Sequence, residues 1–206
     1  MLFYIVYGIF AIGFILVAKM LPWWGSCSIK AVPALSMALL VWLSSSSSAG
    51  KILSLGLVFS AAGDVFLDLD QENYFVQGLG SFLVAHLCYS WSFSRYFKFE
   101  TAKLAGVGVL TLAVGCLVYL MLPGLGNLAA PVFAYIGVIF VMATLAIFVF
   151  PTNKWLIAGA LLFVLSDSLI AINKFISPFS LASLSIMVTY FSAQFLIGKS
   201  WIEMEN

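Results

Sequence analysis

An all-α polytopic membrane bundle of about eight transmembrane helices is the fold class this sequence predicts, and three observations predict it. Of 206 residues, 64 % are hydrophobic and only 8 % are charged, where a soluble domain carries about 25 % charged residues. Mean hydropathy is +1.14. Apolar runs near the ~20-residue length that spans a bilayer recur along the chain, and eight of them consume about 160 residues. What remains is enough for seven short connections and two stubs. So little charge cannot coat a water-facing surface, which excludes a soluble globular enzyme, a secreted disulfide scaffold and a disordered protein. A formal net charge of +1 gives no basic footprint for nucleic acid. The whole chain, 1–206, reads as a single integral membrane domain.

The first run, 2–18, is apolar from Met1 onward, with no basic n-region and no A-x-A site, so it reads as a span and not as a removable signal. The second, 29–43, is short and ends at the low-complexity run Ser44 to Ser48, which with Ala49 and Gly50 makes a flexible connection. The remaining spans are 52–69, 73–94, 104–122, 130–150, 155–173 and 179–199. Pro22, Pro123, Pro151 and Pro178 lie in or beside turns, while Pro33 and Pro131 fall near span starts, where a missing N–H costs little. Trp23, Trp24, Trp91, Trp155 and Trp201 lie near span ends, as an interfacial belt requires. Cys27, Cys88 and Cys116 are widely spaced, contain no C-x-x-C, and read as small apolar fillers.

Basic residues set orientation. Lys51, Arg95, Lys98, Lys103, Lys154 and Lys199 lie on the side of the termini, and Lys19, Lys30 and Lys174 on the other. Six against three predicts both termini in the cytoplasm, for a chain placed in a bacterial inner membrane. The acidic stretch Asp68-Leu69-Asp70-Gln71-Glu72 then faces outward.

A faint repeat accompanies this pattern. Lys51, Gly56 and Asp64 are spaced as Lys154, Gly159 and Asp167 are, and Ala31-Val32-Pro33 resembles Ala129-Ala130-Pro131. Four spans per half would give a parallel pseudo-repeat about an axis along the membrane normal. Either way, each aspartate lies thirteen residues, about 20 Å at helical rise, from a lysine on the terminal side. The two carboxylates therefore share a depth.

A carboxylate well inside a span costs about 2.5–3.5 kcal/mol on insertion scales. Asp64 and Asp167 bear that cost, and His86, the only histidine, lies mid-span. Lys30 opens the second span. Such residues face a bundle interior or a wet cavity and are functional candidates. Plainer readings stand beside this one: a structural Asp64–Lys30 ion pair, a core His86 bonded to Tyr89 at i+3, a snorkelling Lys30. Tyr190 and Gln194, at i, i+4 in the last span, serve equally as interhelix glue or as substrate contacts. Ser166 reads as helix packing. One histidine with unpaired cysteines makes no zinc constellation, so neither a metal site nor a cofactor is expected.

These residues occur in an ordered set: Gly63-Asp64, then Phe75-x-x-Gly78-Leu79-x-x-Phe82-x-x-Ala85-His86-x-x-Tyr89, then Ser166-Asp167, with Tyr190 and Gln194 near the end. The set resembles the YhhN-like lysoplasmalogenase family over most of the chain, roughly Lys30 to Lys199. The resemblance implies an eight-span hydrolase that cleaves the vinyl-ether bond of lysoplasmalogens, giving a fatty aldehyde and a glycerophospho-ethanolamine or -choline. The partners it implies are a lysophospholipid substrate and membrane lipids.

The residues suit that chemistry. A vinyl ether accepts a proton on its β-carbon, giving an oxocarbenium ion that water captures. One protonated carboxylic acid and one carboxylate would divide this labour as they do in glycosidases. Asp64 and Asp167 are the expected pair, His86 a hydrogen-bonding or relay partner, and Lys30, Tyr89, Tyr190 and Gln194 the cavity lining. The competing expectation is a small proton-coupled lipid or metabolite transporter that uses the same aspartates as ion sites. An intramembrane aspartyl protease is disfavoured because G-x-G-D is absent, residue 61 being Ala.

Overall fold

The computed structural model describes residues 2–17, 26–70 and 72–205. Lys19, Pro22, Trp23, Trp24 and Gln71 lie outside the described residues. Among those described, the chain is all-helical. Helices run in the order α1 (Leu2–Val17), α2 (Ser26–Ser44), α3 (Ser48–Leu69), α4 (Phe75–Ser94), α5 (Leu104–Met121), α6 (Ala129–Phe148), α7 (Lys154–Ala171) and α8 (Ala182–Glu205). With their flanking turns, α2, α3, α5, α6 and α7 are long and apolar enough to cross a membrane, and α1 is a shorter apolar helix. The chain is a multi-pass membrane protein.

Local signals account for the helix starts. Ser47 is extended at φ −79°, ψ 152° and accepts the Gly50 N–H at the head of α3, and Asn153 accepts those of Trp155 and Leu156 at the head of α7. Both satisfy donors that the first helical turn leaves open. Several ends differ from the sequence expectation. Helix α3 begins at Ser48, so Ala49 and Gly50 are buried helical residues and not part of a flexible connection, and α8 begins at Ala182. Helix α2 begins at Ser26, so Lys30 lies a turn inside and Pro33 is an interior proline. Ser26 donates to the Asp68 carboxylate at the end of α3, which anchors that extra turn. Helix α8 runs on to Glu205, whose carboxylate receives the Ser47 hydroxyl. Trp201 is consequently fully buried against Phe93 and Tyr96 and is not part of an interfacial belt, whereas Trp91 and Trp155 are exposed.

Packing closes six helices into a ring in the order α2, α3, α4, α6, α7, α8 and back to α2. Helix α1 lies outside against α2 and α8, and α5 lies outside against α6 and the Ile172–Ile176 segment. Close approach within the ring depends on two glycines. A Cβ at Gly56 would stand 2.6 Å from the Tyr89 ring of α4, and one at Gly159 would stand 3.0 Å from the Ala193 carbonyl of α8. Small residues at such crossings let backbones meet closely, which is how membrane helices associate in the absence of a hydrophobic drive. Helix α5 is held more lightly. Only Leu110 and Met121 are buried along it, the first against Ala143 and Ile147 and the second beside Phe75, Leu125 and Val132.

Candidate active site

Polar side chains in an apolar interior need partners, and every helix of the ring contributes at least one. They sort into two clusters. In the first, Lys30 Nζ (α2) stands 3.7 Å from Asp64 Oδ1 (α3). Tyr190 (α8) donates its hydroxyl to Asp64 Oδ2 at 2.6 Å, and Gln194 Nε2, one turn on, donates to Tyr190 Oη at 2.6 Å. Lys30, Asp64, Tyr190 and Gln194 are all buried. Lys30 therefore does not snorkel: with the helix begun a turn earlier, its ammonium reaches inward.

The second cluster joins α4, α6 and α7. Tyr135 donates its hydroxyl to Asp167 Oδ2. His86 Nε2 lies 2.9 Å from Tyr135 Oη and 3.5 Å from Asp167 Oδ2. Because the Tyr135 proton points to the carboxylate, its oxygen accepts from His86 Nε2–H, and this tautomer leaves Nδ1 bare. Nδ1 is buried without a hydrogen-bond partner. The expected His86–Tyr89 hydrogen bond does not form. The Tyr89 hydroxyl lies 3.0 Å from Ser60 Oγ, and its ring meets the imidazole edge-on at 5.9 Å. Ser166 spans to α8 by donating to the Ile186 carbonyl at 3.2 Å.

Phe163 links the clusters: its ring stands 4.6 Å from the imidazole of His86 and 5.4 Å from the ring of Tyr190. Asp64 and Asp167 themselves are not brought together. Among the described residues no hydrogen bond joins them, and Asp64 is absent from the cavity that Asp167 lines. The single chamber that sequence reasoning expected is two neighbouring clusters. The reason is geometric: Asp64 on α3 turns toward α2 and α8, while Asp167 on α7 turns toward α4 and α6.

Among the described residues, the second cluster borders a cavity. This cavity of about 70 Å³ lies between α5 and the ring, lined by Asp167, Tyr135 and Ser168 and otherwise by apolar side chains such as Leu79, Phe82, Leu117 and Ile136. Its lining has the character of small-molecule sites, which are mostly apolar with a few convergent polar groups. The Asp167 side chain is 15 % exposed, against 2 % for Asp64. No hydrogen bond engages Asp167 Oδ1 among the described residues, which leaves one carboxyl oxygen available to a ligand. Among the same residues, no group of three His, Cys, Asp or Glu side chains gathers to hold a metal.

Sequence reasoning missed Tyr135. It is the only tyrosine in the 130–150 run and lies six residues inside α6, not at the interface where tyrosines of membrane helices concentrate. That displacement was the available signal.

The YhhN family model matches residues 25–201. The chain is 36 % identical over 196 residues to lysoplasmalogenase TMEM86A of Bos taurus, covering 88 % of this chain and 80 % of that protein. It is 34 % identical over 179 residues to lysoplasmalogenase TMEM86B of Homo sapiens, covering 86 % and 75 %. To a lysoplasmalogenase of Mycobacterium bovis it is 33 % identical over 147 residues, covering 68 % and 56 %. No solved structure matches.

Proposed function

The chain belongs to the YhhN family, and from that membership we propose that it hydrolyses the vinyl-ether bond of lysoplasmalogen-type lysophospholipids inside the membrane. The observation that carries this reading is Asp167, whose Oδ2 accepts the Tyr135 hydroxyl with His86 Nε2 3.5 Å away, and which faces an apolar cavity. The apolar lining suits an alkenyl chain, and a carboxyl at its wall meets the one polar linkage the chain carries.

Asp167, protonated on Oδ1, gives its proton to the β-carbon of the vinyl ether, and the double-bond electrons form that C–H bond. Positive charge then rests on the oxocarbenium carbon and its oxygen. The Asp167 carboxylate, stabilised by the Tyr135 hydroxyl, removes a proton from the water that adds to this carbon. Collapse of the hemiacetal, with that proton delivered to the ether oxygen as the C–O bond breaks and the hydroxyl proton taken up by Asp167, releases fatty aldehyde and the glycerophospho-ethanolamine or -choline and restores the protonated acid. Positioned acid–base assistance of this kind contributes about 10²–10⁴-fold. Asp64, paired with Lys30 and Tyr190, holds α2, α3 and α8 around the site.

The reading extends to the architecture. We take all eight helices as spans of one domain, in two parallel halves, with both termini cytoplasmic. The six-to-three distribution of basic residues supports the orientation. The equivalent use of Gly56 and Gly159 at the α3–α4 and α7–α8 crossings supports the halves.

The test is purified protein with a lysoplasmalogen and with its ester lyso analogue, scored for free aldehyde. Aldehyde is expected from the vinyl ether alone, and its release separates hydrolysis from transport. Asp167→Asn should lower kcat at least a hundredfold, since an amide cannot supply the proton. Parental turnover in a correctly inserted Asn variant would end the assignment.

A further inference from the structure

We propose that Lys174 is the headgroup anchor of this cavity: its ammonium binds the phosphate of a lysophospholipid at the mouth and sets the depth at which the ether linkage meets Asp167. The proposal rests on the vinyl-ether reading above and adds to it a phosphate subsite. Past Ala171, α7 continues as a π-helical segment, Ile172–Ile176. Phe175 of this segment lines the cavity, as does Phe75 at the start of α4. Lys174 Nζ stands 4.4 Å over the Phe75 ring, so the cation rests on the rim of the apolar space. No carboxylate lies within 4 Å of it among the described residues. Lys30, at the same end of the bundle, is by contrast held by Asp64.

The segment is firmly placed. The Phe179 N–H donates to Asn173 Oδ1 at 3.2 Å and the Ser177 N–H to the Ile172 carbonyl at 2.9 Å. On the other side the turn after α5 presses against it, where a Cβ at Gly124 would stand 2.2 Å from the Phe175 carbonyl oxygen.

The spacing fits the ligand. Lys174 follows Asp167 by seven residues, about 10 Å at helical rise. In an sn-1 alkenyl lysophospholipid about seven bonds separate the vinyl β-carbon from phosphorus, roughly 8–9 Å when extended. A phosphate paired with Lys174 therefore sets the double bond beside Asp167 and sends the chain deeper, past Val164 and Ile139. The pairing is charge-assisted and sits at the apolar rim, where such contacts are stronger than in water.

Lys174→Met keeps the apolar stem over Phe75 and removes the charge, and Lys174→Arg restores it. Binding of lysophosphatidylethanolamine and of a monoacylglycerol with the same chain is measured on parent and variants, alongside kinetics with the alkenyl lysophospholipid. Lys174→Met should weaken lysophosphatidylethanolamine about tenfold, the loss of one charge-assisted hydrogen bond, and leave monoacylglycerol within twofold. KM should rise with the same factor while kcat stays within twofold, and Lys174→Arg should recover both. Equal weakening of both lipids, or no change in either, overturns the proposal. Displacement of the lysophospholipid by inorganic phosphate at that lipid's own concentration overturns it as a lipid subsite. If the parent releases no aldehyde, the hydrolase reading fails, while the two-lipid comparison still decides whether Lys174 reads phosphate.

Discussion

Replacing Tyr135 by Phe isolates one hydroxyl on which the proposed acid depends. That hydroxyl donates to Asp167 Oδ2 and accepts from His86 Nε2 at 2.9 Å. The remaining ring keeps its edge-on contact with the imidazole at 5.4 Å, so the change is electronic more than steric. Two groups, Asp167 and His86, lose a partner. His86 is fully buried, and its Nε2–H is left with only the Asp167 oxygen at 3.5 Å. Each such loss costs about 1–3 kcal/mol. The part that matters for rate is the donor to Oδ2, which stabilises the carboxylate once the proton has left. A loss of roughly 2.7 kcal/mol in the transition state is a hundredfold in kcat, comparable to removing one donor from an oxyanion site. The assay is aldehyde release from lysoplasmalogen, coupled to an aldehyde dehydrogenase, with thermal melting measured in parallel. Expected are a kcat lower by about 10² and a KM within threefold of the parent. In D₂O the parent should give aldehyde with one deuterium on the α-carbon, the former vinyl β-carbon. A Tyr135→Phe protein that melts lower yet turns over at the parental kcat would show that the hydroxyl only packs, and the relay would be refuted.

The other expectations concern the rest of the bundle. Asp64→Asn leaves the Lys30 ammonium buried beside a neutral amide, and breaking such a pair costs about 3–5 kcal/mol; the Lys30→Met/Asp64→Asn double variant should regain most of the melting temperature and keep releasing aldehyde. A double variant that folds but is inert would move Asp64 into the chemistry. Gly56→Ala should lower stability by about 1–3 kcal/mol through overpacking against Tyr89, while Gly80→Ala, whose Cβ meets nothing within 4 Å, should melt with the parent; equal melting of both would mean α3 and α4 cross more loosely. In the α3–α4 turn, the backbone N–H and side-chain amide of Asn73, with the Glu72 N–H, hold the Asp70 carboxyl below the usual 3.8. A lowered folded-state value means that this stabilisation is complete above the unfolded value and is lost as pH falls through the folded one. Amide exchange at Glu72 and Asn73 should therefore lose protection only below about pH 4, and loss of protection nearer neutrality would contradict the turn.

Most helices were legible because lipid punishes polarity, so charge, proline and serine clusters mark where the chain can leave the bilayer. Two of the misread ends show where that rule stops. Lys199 and Glu203 look like an exit, yet they pair at 3.6 Å on one helical face, and such i, i+4 pairs let α8 continue. Ser26 and Cys27 look like a loop until Asp68 is brought alongside. The same rule singled out Asp64, His86 and Asp167, each too polar to be idle at that depth. It could not distribute them. Whether two carboxylates share a ligand depends on which helices are neighbours, and here the closing contact of the ring, α8 on α2, draws Tyr190 to Asp64 and leaves Asp167 to Tyr135. Chain order carries no trace of that closure.

Helix α5, buried only at Leu110 and Met121, makes one side of the cavity a single wall with lipid on its far face. A substrate chain arriving sideways never has to cross water, and a departing aldehyde dissolves where it is made. The quantity that governs occupancy is then the mole fraction of lysophospholipid in the surrounding bilayer or micelle, not its molarity. Inert lipid added at constant total substrate would slow turnover by surface dilution, while added buffer volume would leave it unchanged.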